Sequence, residues 1–279
     1  QHHHAHLAAC LAEHGVDGPA VGAIYDGTGY GTDGTVWGGE LLLGDAADFE
    51  RVGHVWPVRL PGGEAAIRQP WRMACAWLRE ISTGTPAIPA WLDDSIDAKR
   101  WEVVSRLAGS GVAAPLTTSV GRLFDAVGAL CGLRLAVRYE GQAAIELEMA
   151  ASQASDPEGD AYPLPLRRAP DAPARLDGRD TVRAALADLE QGTSAPLVAL
   201  RFHHGLADGT AAACVAEAGR AGVDTVVLSG GVFQNVLLLE RTAYRLSEAG
   251  LRVLVPRRLP PNDGGIAYGQ AAVLAARGG

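Results

Sequence analysis

Apolar residues Leu7, Ala8, Cys10 and Leu11 recur at helical spacing, predicting a helix over residues 2–14 with Gly15 as its stop. Residues 21–25 read as a strand and Val36-Trp37 as the next. The glycine-rich run Asp26-Gly27-Thr28-Gly29-Tyr30-Gly31-Thr32-Asp33-Gly34-Thr35 between them predicts a hairpin. Short strand-like pieces continue over residues 40–60, among them His54-Val55-Trp56-Pro57-Val58. Gly62-Gly63 then breaks the chain before a helix carrying Trp71, Met73 and Trp77. Residues 93–132 read as helices broken by loops, and 133–150 mix strand and helix signals. Residues 151–180 are polar and rich in Pro, Asp and Arg, predicting a connection between lobes with one short strand around 164–166.

The last hundred residues are the most regular. Helices are expected over 181–189 and 211–218, the second closing at Gly219. A buried strand over 225–228 ends in Ser229-Gly230-Gly231-Val232. An amphipathic helix over 234–249, a strand over 251–255 and a final helix over 265–276 follow. Strand, glycine turn, helix and strand in succession predict an α/β fold with a partly parallel sheet. A first lobe over residues 1–179 and a C-terminal α/β lobe over 180–279 are the expected division. Because the sequence opens inside a helix, the N-terminal strands of the first lobe are expected to be missing.

Composition narrows the function classes. A 279-residue chain that is 48% hydrophobic can form a sizeable core. No apolar run reaches membrane-spanning length and none reads as a signal peptide. The net charge of -8 argues against nonspecific binding of DNA or RNA. Cys10, Cys75, Cys131 and Cys214 are far apart, with no CxxC pair, and read as reduced thiols of a cytoplasmic protein.

Candidate chemistry begins at Gln1-His2-His3-His4-Ala5-His6. His2 and His6 are four apart, so a helix sets both imidazoles on one face, where they can share a metal. Asp263, in Pro261-Asn262-Asp263-Gly264-Gly265, is a candidate third ligand from the other end of the chain. A purification-tag remnant is the competing reading, but such a tag is usually a longer uninterrupted run with a linker. Nitrogen and oxygen ligands suit iron or zinc. His3 and His4 lie off that face, where either can touch substrate, and His3 is a candidate general base.

Gly27, Thr28 and Gly29 can form a phosphate-cradling nest, or simply a turn. Asp26 beside them would repel a bare phosphate and makes sense only with a cation, a protonated group or a water. Ser229-Gly230-Gly231, between a strand and a helix, sits where α/β folds meet phosphate. In Gly121-Arg122-Leu123-Phe124-Asp125, Gly121 permits close approach of a nucleoside and Asp125 can accept from ribose hydroxyls. Equally, Arg122 and Asp125 can be a surface i,i+3 pair. His203-His204, near an expected helix start, read mainly as structural.

Taken together, these motifs resemble the HypF family of carbamoyltransferases. The matching residues are Gln1–His6, Asp26 to Glu40, Arg68-Gln69-Pro70-Trp71-Arg72-Met73-Ala74, Gly121 to Asp125, Ser229 to Asn235, and Asn262 to Gln270. The resemblance implies a two-lobed actin/Hsp70-like (ASKHA) nucleotide-binding fold, related to the tRNA threonylcarbamoyl transferases. It implies ATP-dependent chemistry: carbamoyl adenylate, made in a YrdC-like domain after an acylphosphatase-like domain, gives its carbamoyl group to the C-terminal cysteine of HypE. On the family pattern His2, His6 and Asp263 hold a divalent metal, with His2, His3, His6 and Asp26 as catalytic candidates. The segments Asp26–Gly29 and Ser229–Gly231, with Asn235, hold the phosphate and acyl linkage, while Gly121 and Asp125 lie near the nucleoside. The resemblance covers only the transferase part: acylphosphatase, CxxC zinc-finger and YrdC-like segments are not in this sequence. The full reaction is therefore not expected of this chain alone. The alternatives are an O-carbamoyltransferase acting on a small hydroxylated metabolite and a noncatalytic nucleotide-binding fragment.

Overall fold

The alternation of β1 (Ala20–Tyr30) divides the protein into two apolar layers. Val21, Ala23 and Tyr25 point into the larger core, while Ala20 and Ile24 pack with Leu7, Cys10 and Leu11 of α1 (His2–Glu13) on the opposite face. Gly22 shares that second face, and a Cβ there would press on Leu7 at 3.1 Å. The computed structural model describes residues 1–156 and 159–278.

After β1 come β2 (Val36–Gly44), β3 (Phe49–Val55), β4 (Val58–Arg59), α2 (Glu64–Arg68), α3 (Trp71–Ile81), α4 (Ala98–Ser110) and β5 (Leu116–Thr117). They are followed by α5 (Val120–Leu130), α6 (Gln142–Ala151), β6 (Leu166–Ala169), β7 (Ala172–Leu176), α7 (Gly178–Glu190) and α8 (Ala195–Ala221). β8 (Thr225–Ser229), α9 (Val236–Glu248), β9 (Arg252–Leu254) and α10 (Ile266–Gly278) end the chain. The main sheet runs β6-β7-β3-β2-β1-β8-β9, with β4 and β5 paired beside β2. β1 is antiparallel to β2 and parallel to β8, so strands from either side of position 180 share one α/β sheet. α5 and α8 cover one face of β1 and α1 the other, with α10 laid across α1. Burying Leu7 and Leu11 completely contributes about 1.5–3 kcal/mol each to holding α1 down.

Local signals placed most elements well. α1 stops where His14 and Gly15 (φ +63°) were expected to stop it, and α9 is capped by the Asn235 side chain and closed near Gly250 (φ +80°). Residues 133–150, ambiguous in sequence, hold α6.

Three expectations are corrected. β1 does not end at Tyr25; it continues to Tyr30 through an irregularity between Tyr25 and Gly29, so the turn itself is confined to residues 31–35. The helix expected over 211–218 is part of α8, which begins at Ala195 and passes through Gly205, Gly209 and Gly219 before closing at Gly222 (φ +68°). Gly205 and Gly209 sit inside that helix because the Tyr162 and Leu164 segment crosses there, and a Cβ at either would meet it. His203 and His204 thus lie in mid-helix, not near its start. Finally, the polar stretch 151–180 is not merely a connection. β7 pairs in parallel with β3 and β6 with β7, extending the sheet, although residues 157–158 of that stretch lie outside the described residues.

The α1–α10 crossing is tight. A Cβ on Gly269 would overlap the Ala5 carbonyl, whereas one on Gly219, in α8, would meet nothing. Gly269→Ala should therefore cost about 1–3 kcal/mol by overpacking despite its better helix propensity. Gly219→Ala should instead gain up to about 1 kcal/mol. Urea titration of the two variants checks both signs.

Candidate functional site

Helical and strand periods meet at one point. On α1, His2 and His6 share a face, and on β1 the next residue of the Ala20, Gly22, Ile24 face is Asp26. His2 Nε2 lies 2.9 Å and His6 Nε2 3.3 Å from Asp26 Oδ2. Asp263 enters from the opposite end of the chain, in a 3₁₀ turn over Asp263–Gly265 that leads into α10. Asn262 caps that turn, accepting from Gly264 N–H at 3.1 Å. Asp263 Oδ1 is 3.3 Å from His2 Nε2 and 3.8 Å from His6 Nε2. All four side chains offer a ligand atom, and these atoms lie within 4.8 Å of one another. His6 and Asp26 are buried while Asp263 faces solvent, so the cluster is open on one side.

The electrostatics suit a cation. Burial works to raise the Asp26 pKa, yet hydrogen bonds from His2 and His6 and from the Gly27 N–H hold it well below the ordinary carboxylate range. The bond to Asp26 raises the His2 pKa, against the opposing effect of burial. Two imidazole nitrogens and two carboxylate oxygens form a donor set that fits a divalent metal. Asp26 is thus a fourth potential ligand. In the sequence, the signal was that its charge made sense only with a cation, a protonated group or a water beside it.

The other histidines turn away. His3 lies beneath the hairpin against Trp37, its ring centroid 5.8 Å off, and a Cβ on Gly29 would overlap it. Burial pushes its pKa down to about 3, so it is neutral, and its Nε2 has no partner. His4 stacks near Phe49 and bonds the Asp45 carbonyl at 2.8 Å. Neither lines the cavity described next. His203 is wholly buried, donating from Nδ1 to the Ala199 carbonyl at 2.7 Å and accepting from Asn235 Nδ2 at 2.9 Å.

A cavity of about 700 Å³ begins beside this cluster of potential ligands. Asp26, Gly27, Gly121, Asp125, Gly231, Asn235 and Asp263 all line it. Thr28, Gly29, Ser229 and Gly230 are not among its lining residues. Ser229 is buried in β8, and Gly230 (φ +101°) serves strand packing, since a Cβ there would overlap the Tyr25 carbonyl. A 3₁₀ turn over Gly231–Gln234 separates this strand from α9, whose cap is Asn235. Glu140 and Glu148, which the sequence did not single out, line the cavity from the α6 side.

The cavity wall is braced from below. Ser119, the cap of α5, places its hydroxyl 2.8 Å from the Asp26 carbonyl and 2.7 Å from that of Gly27, and accepts from Arg122 N–H. Buried Glu40 accepts from the N–H groups of Gly38 and Gly39, from Thr118 Oγ1, and from Arg51 Nε at 2.6 Å. These bonds tie the hairpin to the start of α5. Arg122 and Asp125 are not a surface pair: both are almost fully buried in that wall.

Two measurements follow. His6→Ala and Asp26→Asn should each weaken Zn²⁺ binding by about 100-fold or more, beyond the loss seen for groups that merely orient ligands, while His4→Ala should not. Calorimetric titration of the apo-protein checks this. Burial raises the Asp125 pKa from 3.8 to about 6, with Arg122 opposing and Glu140 adding to the rise. Its folded form thus holds a proton more tightly than its unfolded form, and stability falls as pH rises between 3.8 and about 6. In ligand-free protein, the Tm of Asp125→Asn relative to wild type should climb across that window, by about 2–4 °C per kcal/mol relieved.

Comparisons with known proteins identify the family. Residues 22–270 match the family described as carbamoyltransferase, Kae1-like domain, second subdomain. The chain is 41% identical to carbamoyltransferase HypF2 of Cupriavidus necator, covering 99% of this chain and 36% of that protein. It is 37% identical to a carbamoyltransferase HypF homolog of the same organism, covering 99% of this chain and 70% of the relative. The crystal structure of full-length HypF in the phosphate- and nucleotide-bound form superposes with a TM-score of 0.90 at 35% identity, over 98% of this chain and 35% of that one. HypF of T. kodakarensis gives a TM-score of 0.87 at 29% identity, over 99% of this chain and 36% of the other. The chain thus spans about a third of the length of most of these relatives. With the α/β Kae1-like fold of the ASKHA superfamily, it belongs to the HypF carbamoyltransferase family.

Proposed function

We propose that this chain carries the transfer site at which the carbamoyl group of carbamoyl adenylate passes to the C-terminal cysteine thiol of HypE. The observation that carries the reading is the convergence of His2, His6, Asp26 and Asp263 at one end of a cavity whose walls hold Gly27, Gly121 and Asp125. A full-length HypF of the same fold is known in a phosphate- and nucleotide-bound form, which supports a nucleotide as a ligand in this family.

In this reading the thiolate sulfur forms a bond to the carbamoyl carbon, the bond from that carbon to the phosphate oxygen breaks, and AMP leaves with the electron pair. A divalent ion, iron or zinc, held by His2, His6 and Asp263 with Asp26, would supply Lewis-acid polarisation of the carbonyl. The chain's own work is positioning: Gly121 and Gly27 let the nucleotide approach the backbone, and Asp125 accepts from its sugar. Asn235 and Gly231 close the opposite wall. The chain's cysteines are poor acceptors. All four are free, and burial pushes each thiol up to about 12, so none supplies a thiolate near neutral pH. The acceptor thiol thus comes from a partner.

Upstream acylphosphatase and YrdC-like domains are the proposed source of the activated donor. A cytoplasmic setting accords with the absence of disulfides among the cysteines. No helix among the described residues is long and apolar enough to cross a membrane.

The test supplies carbamoyl adenylate and a peptide of the HypE C-terminus and reads thiocarbamate on the last cysteine by mass spectrometry. Product is expected with the full-length protein, and Asp263→Asn should lower its rate by about 100-fold or more. No thiocarbamate from the full-length wild type sinks the proposal, and transfer to a sugar hydroxyl instead would make the chain an O-carbamoyltransferase.

A further inference from the structure

The wall that α5 gives the cavity contains an ion pair whose polar atoms are left idle. Arg122 is 2% exposed and Asp125 3%. Arg122 Nε lies 3.0 Å from Asp125 Oδ2, close enough for charge attraction but not aligned as a hydrogen bond. Nε and Nη1 of Arg122 and Oδ2 of Asp125 have no hydrogen-bond partner. Buried donors and acceptors in this condition are rare in folded proteins, because desolvation goes uncompensated. Both residues line the cavity, and Arg122 is its only cationic lining side chain among the described residues, set among Asp26, Asp125, Glu140, Glu148 and Asp263.

The pair is also rigidly placed. Arg122 and Asp125 are three apart on α5 and so share a face. The first turn of that helix is pinned by Ser119 to the backbone of Asp26 and Gly27.

We propose that Arg122 is a positioning and specificity-determining residue: it anchors the Asp125 carboxylate as an acceptor for the vicinal hydroxyls of a ribonucleoside, so the cavity selects ribose over deoxyribose. This rests on the nucleotide reading of the cavity given above. Without the guanidinium, burial and the nearby Glu140 charge both drive Asp125 towards its neutral acid. A neutral acid accepts hydroxyl protons poorly and presents a donor of its own. With the guanidinium beside it, the carboxylate stays acceptor-only, and a sugar lacking one hydroxyl leaves a buried charge short of a bond.

The experiment is calorimetric titration of AMP, 2′-deoxy-AMP and 3′-deoxy-AMP into the full chain, as wild type, R122M, R122Q, D125N and R122M/D125N. Wild type should bind AMP about 10- to 100-fold more tightly than either deoxy analogue. R122M should bring that ratio close to one, as should D125N, and the double variant should lose no more than either single change. If R122M does not fold by circular dichroism, R122Q decides by the same ratio. A folded R122M or R122Q that keeps the wild-type ratio overturns the role of Arg122 while leaving the nucleotide reading intact. Failure of wild type to bind any of the three nucleotides overturns both.

Discussion

Everything at the site depends on α1 lying across β1 in one rotational setting. Leu7, Cys10 and Leu11 lock the helix onto Ile24 and the bare backbone at Gly22, and the same helix rotation carries His2 and His6 over Asp26. Strand alternation makes this strict: a one-residue slip of β1 would send Asp26 into the opposite core and bring a neighbour under the imidazoles. Gly269 adds the second half of the constraint. Its missing side chain lets α10 come down onto α1 at Ala5, and the turn that begins α10 delivers Asp263 to the same histidines. Apolar packing and the geometry of the candidate metal site are therefore one arrangement seen from two sides.

Two buried carboxylates in one cavity live in opposite electrostatic conditions. Asp26 is burdened by desolvation but held anionic by two imidazoles and a backbone N–H. Asp125 is desolvated as deeply beside a guanidinium that meets it without an aligned hydrogen bond, and its pKa rises. Environments that drive like groups apart are a mark of functional sites, since a fold selected for stability alone would satisfy both or bury neither. Of the two, only Asp125, with its raised pKa and unpartnered Oδ2, carries an uncompensated electrostatic cost in the free protein. Rigidity elsewhere makes that cost tolerable. Glu40, Arg51, Thr118 and Ser119 fasten the hairpin to α5 through a network of hydrogen bonds, which holds the cavity wall around its unsatisfied pair.

Much of this was legible in order along the chain. The spacing of His2 and His6, the stop at Gly15, the closure of α9 at Gly250, and the loop bearing Asp263 are local patterns, and each lies where its pattern put it. Where local signals misled, a distant segment was responsible. The helix expected over 211–218 was cut short at its start, but in α8 Gly205 and Gly209 are clearances for the Tyr162–Leu164 segment. The polar stretch before α7 looks like a connection because β6 is an exposed edge strand without the alternation of a buried one. Whether Arg122 and Asp125 formed a surface pair or a nucleoside contact stayed open in the sequence, because no local signal shows that they are buried in the cavity wall.

By itself, then, the sequence determined periodicity, helix ends and the supply of ligating side chains, all governed by a residue's nearest neighbours. The tertiary structure decided which of those side chains meet. Setting β8 beside β1 and α10 across α1 joins residues more than two hundred positions apart, and it made Asp26 a fourth potential ligand while turning His3 away. That choice is made by burial of apolar faces summed over the whole chain, a quantity that no short window of sequence contains.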